Sequence, residues 1–289
     1  MPEAGPAPDE ALLAAADRLA TLVAACSPAE LSRPVPGGTW TVHDAATHVA
    51  VGLRLYVEDA YADPASWPDA ATLPTGGLLP GLVAASNRQL LEAEPQRGAG
   101  QLAAAVHDEA VALVARARAR GLDDPVPLPW YLGAGARTAG AAEATVLTGR
   151  EVCCVLLGEV LVHGWDVARA LGRPWPLRRD DALTVLVGVR CMLGRFVDPR
   201  ASAGVRLSQE VRPRGGERFW VEVSDGRATV ATEAPYRPVD CHLWADPAAL
   251  VLVGYGRRSQ WWAVATGRFL AWGRRPWAGL RLARLFLDP

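Results

Sequence analysis

A chain of 289 residues is long enough for one large domain or two ordinary ones. Half of the residues are hydrophobic and 21% are charged, the balance of a soluble globular protein, and the net charge is −1. Lysine is absent, so all 30 basic residues are arginine; this excludes Schiff-base enzymes, lysine-bearing phosphate loops and protein kinases.

In chain order, the first expected element is an amphipathic helix over 9–26, with Leu12, Leu13, Ala16, Leu19, Ala20 and Val23 at helical spacing. A Pro- and Gly-rich connection, Pro28 to Gly38, follows. Thr41 and Asp44 then form a capping signature for a helix reaching about Ala60. Residues 62–80 read as a loop, and Pro80 as the first residue of a helix to about Glu94. Another helix spans about Gln101 to Arg120 and stops at Gly121. Residues 123–140 are irregular. A long helix runs from about Ala142 to Leu171, closed by Gly172 and Pro174, and a further one covers about Asp180 to Phe196.

After Pro199 the texture changes. Val205–Ser208, Arg218–Ser224, Ala228–Thr232 and Asp240–Ala245 read as strands separated by turn pairs such as Gly215-Gly216 and Asp225-Gly226. Short helices are expected from Asp246 to Val253 and from Trp277 to Phe286. The fold class is thus an α-helical domain, 1–198, followed by a small α+β domain, 199–289. The charge supports this division. Residues 200–289 carry 14 Arg against 8 acids, and residues 1–199 carry 16 Arg against 23 acids.

No apolar stretch approaches the ~20 residues that span a bilayer, and residues 1–10 have no cationic start. The five cysteines lack a C-x-x-C pair and read as packed thiols in a reducing compartment. The expectation is a cytoplasmic protein with no membrane partner. The basic, Trp-rich C-terminal part carries no nucleic-acid motif and its arginines are dispersed, so no nucleic-acid partner is expected either.

The chemistry gathers on the long helix. Glu159, His163 and Asp166 stand at spacings of four and three, within about 60° of one another on one face. Their neighbours Val155, Leu156, Leu157, Val160, Leu161 and Val162 are apolar, so a carboxylate and an imidazole here need partners. His48, two turns into the capped helix, can face them across a bundle. Two histidines and a carboxylate suit zinc with an open position, and also iron or manganese. His43 and His107 read as surface residues, His242 and Trp165 as packing residues, and Trp40 as a staple at the helix start.

Two segments carry a resemblance. Trp40-Thr41-Val42-His43-Asp44-Ala45-Ala46-Thr47-His48-Val49-Ala50 resembles the opening block, W-[ST]-V-x-D-x-x-x-H-[LV]-A, of the mycothiol-dependent maleylpyruvate isomerase family. Gly158 through Gly172 resembles its second block, E-x-x-x-H-x-x-D-[ILV]-A-x-A-x-G, and the stretch Asp246 to Leu270 is similar to its sterol-carrier-like C-terminal domain. The resemblance implies a DinB-like four-helix bundle holding zinc, followed by a sterol-carrier-like α+β domain. It implies metal ligands at His48, Glu159 and His163, and a role for Asp166 in orienting a ligand or a bound thiol, with Trp165 beside it at the thiol site. It also implies a substrate-binding arginine at Arg257, with Arg258 as its rival. The cofactors implied are zinc, or another divalent metal, and mycothiol, a low-molecular-weight thiol of actinobacteria. The thiolate would add to an electron-poor double bond, allow rotation, and leave; transfer of the thiol to an electrophile is a related outcome. Absent Lys and Ile and a single asparagine, Asn87, fit a GC-rich genome of that kind. The chain exceeds a minimal member of the family in residues 62–80 and 121–140, which carry Trp67, Trp130 and Tyr131 and are expected to shape the pocket. Two other readings stand beside this one: a non-enzymatic carrier of a hydrophobic ligand, and a thiol-independent metal-dependent hydrolase or lyase.

Overall fold

The computed structural model describes residues 7–59, 79–126 and 147–287. The helices among them are α1 (Pro8–Ala24), α2 (Pro28–Leu31), α3 (Val42–Val57), α4 (Leu79–Ala93), α5 (Ala99–Arg120), α6 (Gly149–Leu171), α7 (Arg179–Met192), α8 (Pro247–Gly254), α9 (Gln260–Ala265) and α10 (Pro276–Leu282). The strands are β1 (Pro125–Val126), β2 (Leu147–Thr148), β3 (Arg206–Pro213), β4 (Phe219–Ser224), β5 (Arg227–Ala231), β6 (Cys241–Ala245) and β7 (Phe269–Trp272).

The chain divides into two compact units, with the break between Gly188 and Val189. In the first, α5 packs on α1 and α3, and α6 packs on the same two helices, which makes a four-helix bundle. Its core is the apolar stripe expected from the sequence. Leu12, Leu19 and Val23 of α1, Val42, Val49 and Leu53 of α3, Leu102 and Val106 of α5, and Leu157 and Leu161 of α6 are all buried.

Local chemistry sets the helix ends. Thr41 Oγ1 accepts from the Asp44 N–H at 3.2 Å, and the Thr41 N–H donates to Asp44 Oδ2 at 2.8 Å, which is the capping box read from the sequence. The long helix α6 starts at Gly149 under a second such box, Thr148 with Glu151. The expected start at Ala142 lies outside the described residues. Gly172 ends α6 in the left-handed region, at φ 67°, where a Cβ is costly.

The second unit contains a five-stranded sheet in the order β5-β4-β3-β6-β7, antiparallel except for the parallel pair β3–β6. One sheet face supplies Leu207, Val211, Phe219, Val221, Val223 and Cys241 to a core that also holds Ala278 and Leu285. Helix α9 and strand β7 were not expected. Both are short, six and four residues, and sit between turns that mask their periodicity. None of the five cysteines forms a disulfide. Burial, with the nearby charge of Asp9, pushes the Cys153 thiol up to about 12, as fits a packing residue. No helix among the described residues is long and apolar enough to cross a membrane.

Helices α6 and α7 cross at backbone contact. A Cβ on Gly188 would stand 2.7 Å from the Val155 nitrogen and 2.9 Å from the Cys154 carbonyl carbon. Neither atom can move without moving α6. The substitution Gly188→Ala is therefore expected to cost about 1–3 kcal/mol. Urea unfolding checks this: the midpoint should fall while the slope is kept.

Candidate metal centre

The bundle brings α3 and α6 together so that His48, Glu159 and His163 offer ligand atoms all within 4.8 Å of one another. Glu159 Oε2 is central. It lies 3.5 Å from His48 Nε2 and 3.5 Å from His163 Nε2. On the far side of His163, Asp166 Oδ2 lies 3.5 Å from Nδ1, and the Asp166 side chain is only 2% exposed. His163 Nδ1 is buried and makes no direct hydrogen bond among the described residues. The carboxylate–imidazole–carboxylate series follows from the spacings 159, 163 and 166 on one helical face.

Electrostatics follow geometry. Burial alone would raise the Glu159 carboxyl, but hydrogen bonds and charges from His163 and His48 hold it well below the usual carboxylate range. Burial alone would lower His163, but Asp166 and Glu159 raise it above its ordinary value. Tyr56, two turns beyond His48, is pushed up by burial and by the Glu159 charge. Its proximity to Glu159 was not read from the sequence.

Trp40 has more to do than a staple. Its ring centroid lies 4.8 Å from that of His48 and 5.6 Å from that of His163, while the two imidazoles meet edge-on at 4.9 Å. The backbone of Trp40 is fixed by a hydrogen bond from the Val35 N–H to its carbonyl. On α6, Gly164 leaves room for Trp175, whose Cζ2 would be 2.2 Å from an added Cβ; the Trp175 indole donates to the Leu161 carbonyl at 2.9 Å. Helix α6 is thereby clamped one residue from His163.

The other residues separate. Trp165 is half-buried with the Arg169 guanidinium 4.8 Å over its ring. His107 is a surface residue paired with Asp17 at 2.7 Å. His43, expected on the surface, is buried: its Nε2 accepts the Arg97 N–H at 3.3 Å. The segment before α5 folds over the first turn of α3 and covers it. His242 sits in β6 with Nδ1 2.5 Å from buried Glu210. Arg257 and Arg258 follow α8 in the second unit, and the Arg257 guanidinium donates to the Tyr255 carbonyl at 2.7 Å. Trp67, Trp130 and Tyr131 lie outside the described residues.

A family profile described as mycothiol maleylpyruvate isomerase N-terminal domain matches residues 12–168, which include all three clustered residues. The chain belongs to this family. Among solved structures, it is similar to the mycothiol-dependent maleylpyruvate isomerase, at 11% identity over 87% of this chain and 89% of that one, with a TM-score of 0.46. A histidine-to-alanine mutant of that enzyme matches at 11% identity over 88% and 89%, with the same TM-score. A double mutant of a sec-alkyl sulfatase matches at 13% identity over 61% of this chain, with a TM-score of 0.33; the chain spans 30% of its length. No curated protein matches.

Asp166 Oδ2 faces His163 Nδ1 at 3.5 Å. Asp166→Asn is expected to weaken metal binding roughly 10–100-fold with little loss of folded protein, since partners of this kind contribute on that scale. Competition against a chromogenic chelator measures it.

Proposed function

We propose that this protein is a metal-dependent enzyme, zinc being the metal favoured, that uses mycothiol to isomerise a small electrophilic substrate bearing a carboxylate, or to transfer the thiol to it. The observation that carries this reading is the cluster of His48, Glu159 and His163 inside a chain of the mycothiol maleylpyruvate isomerase family. The donor set, two imidazoles and a carboxylate, fits the metal. In a tetrahedral zinc site, nitrogen and oxygen ligands at about 2.0–2.2 Å stand about 3.3–3.6 Å apart. The two His–Glu separations of 3.5 Å fall in that range.

Zinc, when bound, supplies a Lewis acid that favours the thiolate form of a coordinating thiol. The chain does the rest. Glu159 stays ionised and offers a full negative charge to the cation. The Asp166 charge faces His163 Nδ1 while Nε2 faces Glu159. Trp40 walls one side of both imidazoles and limits water there. Trp165 is assigned to the thiol side of the site, Asp166 to orienting a ligand from behind His163, and Arg257 to the substrate carboxylate through a bidentate pair, with Arg258 as the alternative. The division into a bundle domain, 1–198, and a sterol-carrier-like domain, 199–289, in a cytoplasmic protein, belongs to the same reading.

Elemental analysis of purified protein, followed by calorimetric titration with mycothiol, tests the proposal. Wild type should carry zinc and bind the thiol, and His163→Ala should lose both. Metal without thiol binding would favour the hydrolase reading, and neither would leave the carrier reading. With a turned-over substrate in hand, Arg257→Ala is expected to raise KM roughly 10–100-fold, the scale of a lost charged hydrogen bond.

A further inference from the structure

Placing two histidines on facing helices does not by itself place their ligand nitrogens. An imidazole turns about its last torsion in a broad well, so each ring needs something that stops it. A hydrogen bond through the second ring nitrogen is the usual device. His163 lacks it among the described residues. Its Nδ1 is buried with no hydrogen-bond partner, and Asp166 Oδ2 stands 3.5 Å off.

The stop is an indole. Trp40 lies 4.8 Å from the His48 ring, tilted by 44°, and 5.6 Å from the His163 ring, tilted by 34°. The two imidazoles meet each other at 4.9 Å and 74°. Three planes at these separations close a triangle. Turning either imidazole drives its edge toward the indole or toward the other imidazole. The way out is narrow as well, since the His48 and His163 side chains are only 17% and 10% exposed.

The indole is itself held by backbone. Pro34 pairs antiparallel with Thr41, the Val35 N–H donates to the Trp40 carbonyl, and the Val42 N–H donates to the Arg33 carbonyl, the last two at 2.9 Å. The next residue, Thr41, is closed into the capping box with Asp44. Trp40 is thus fixed on both sides in the chain, while its ring spans ligands carried by α3 and α6. A residue needed only for bulk at a helix start would not have to reach either imidazole.

We propose that Trp40 is a positioning residue of the metal centre: its ring sets the rotation of both His48 and His163, so that both Nε2 atoms face Glu159 before an ion arrives. The proposal rests on the metal reading above. It makes the aim of two ligands depend on one side chain that is not a ligand, a form of preorganisation.

The test titrates metal-stripped protein with Co(II), whose visible absorption reports affinity and ligand geometry together. Trp40→Phe keeps a flat ring, and Trp40→Leu keeps apolar bulk without one. The Phe variant is expected to bind within about 3-fold of wild type with the same spectrum, and the Leu variant roughly 10-fold or more weakly with shifted bands. The two variants should share one urea midpoint without metal, which separates aim from stability. Wild-type affinity and spectrum in Trp40→Leu overturn the proposal, as does equal weakening of both variants, which would reduce position 40 to volume. Wild type that binds no Co(II) sinks the metal reading itself, and this proposal with it. If Trp40→Leu fails to fold, wild type decides by NMR. Contacts between the indole and both imidazole rings should be present without metal and unchanged by zinc; rings that turn when zinc is added overturn the proposal.

Discussion

One ionised, half-buried carboxylate on an apolar stretch of α6 sets the constraint that the rest of the first unit meets. Glu159 stands on α6 between Gly158 and Val160, both buried. A charge in such surroundings costs several kcal/mol unless partners compensate it. The compensation comes from one imidazole on the same helix and one on another. The first follows from spacing, but the second demands that α3 and α6 pack in one register. The two capping boxes supply it. His48 lies seven residues, about 10 Å, past the Thr41 cap, and Glu159 lies eleven residues, about 16 Å, past the Thr148 cap. Fixed helix starts become fixed side-chain heights, and Trp40, tilted against both imidazoles, and Trp175, seated over Gly164, keep the helices from rotating away.

How much of this could be read in the chain depends on range. The stripe of α1, both ends of α5 and the Thr41 cap were legible, because each is decided within one or two turns. So were Glu159 and His163, whose apolar neighbours make their polarity conspicuous. His48 was legible from its place two turns into the capped helix, and its pairing with Glu159 rested on the bundle that would face the two helices. What failed was what depends on distant segments. Trp40 was read as a local staple, but its ring is used by two histidines, one of them 123 positions away. His43 was read as exposed because nothing near it in sequence covers it; Arg97, 54 positions on, does. Tyr56 had a signal in hindsight: a phenol two turns beyond His48 on a helix with little other polarity. Strand β7 was hidden by brevity, although its flanking Gly267 and Gly273, both at positive φ, mark the turns that bound it.

The second unit shows the same rule on a sheet. Glu210 of β3, His242 of β6 and Trp272 of β7 are cross-strand partners in one row. A row of this kind aligns side chains that are 30 positions apart, which no periodicity in one strand can reveal. His242 was therefore read as a packing residue, and its bond to Glu210 emerged only from the pairing.

A second glutamate, Glu210, shows why Glu159 and not every acidic residue with close partners is a candidate metal ligand. Glu210 is 2.7 Å from Arg212 and 3.5 Å from Arg218, besides His242. Guanidinium groups do not deprotonate in proteins and cannot act as ligands, so Glu210 is neutralised permanently and offers nothing to a cation. Glu159 is met by two imidazoles. These compensate its charge while protonated and become nitrogen ligands once they release their protons. A divalent ion can then replace the two protons without leaving the carboxylate uncompensated at any stage. In a chain whose only permanent cation is arginine, the choice of histidine rather than arginine beside a buried glutamate is what separates an exchangeable site from a closed knot.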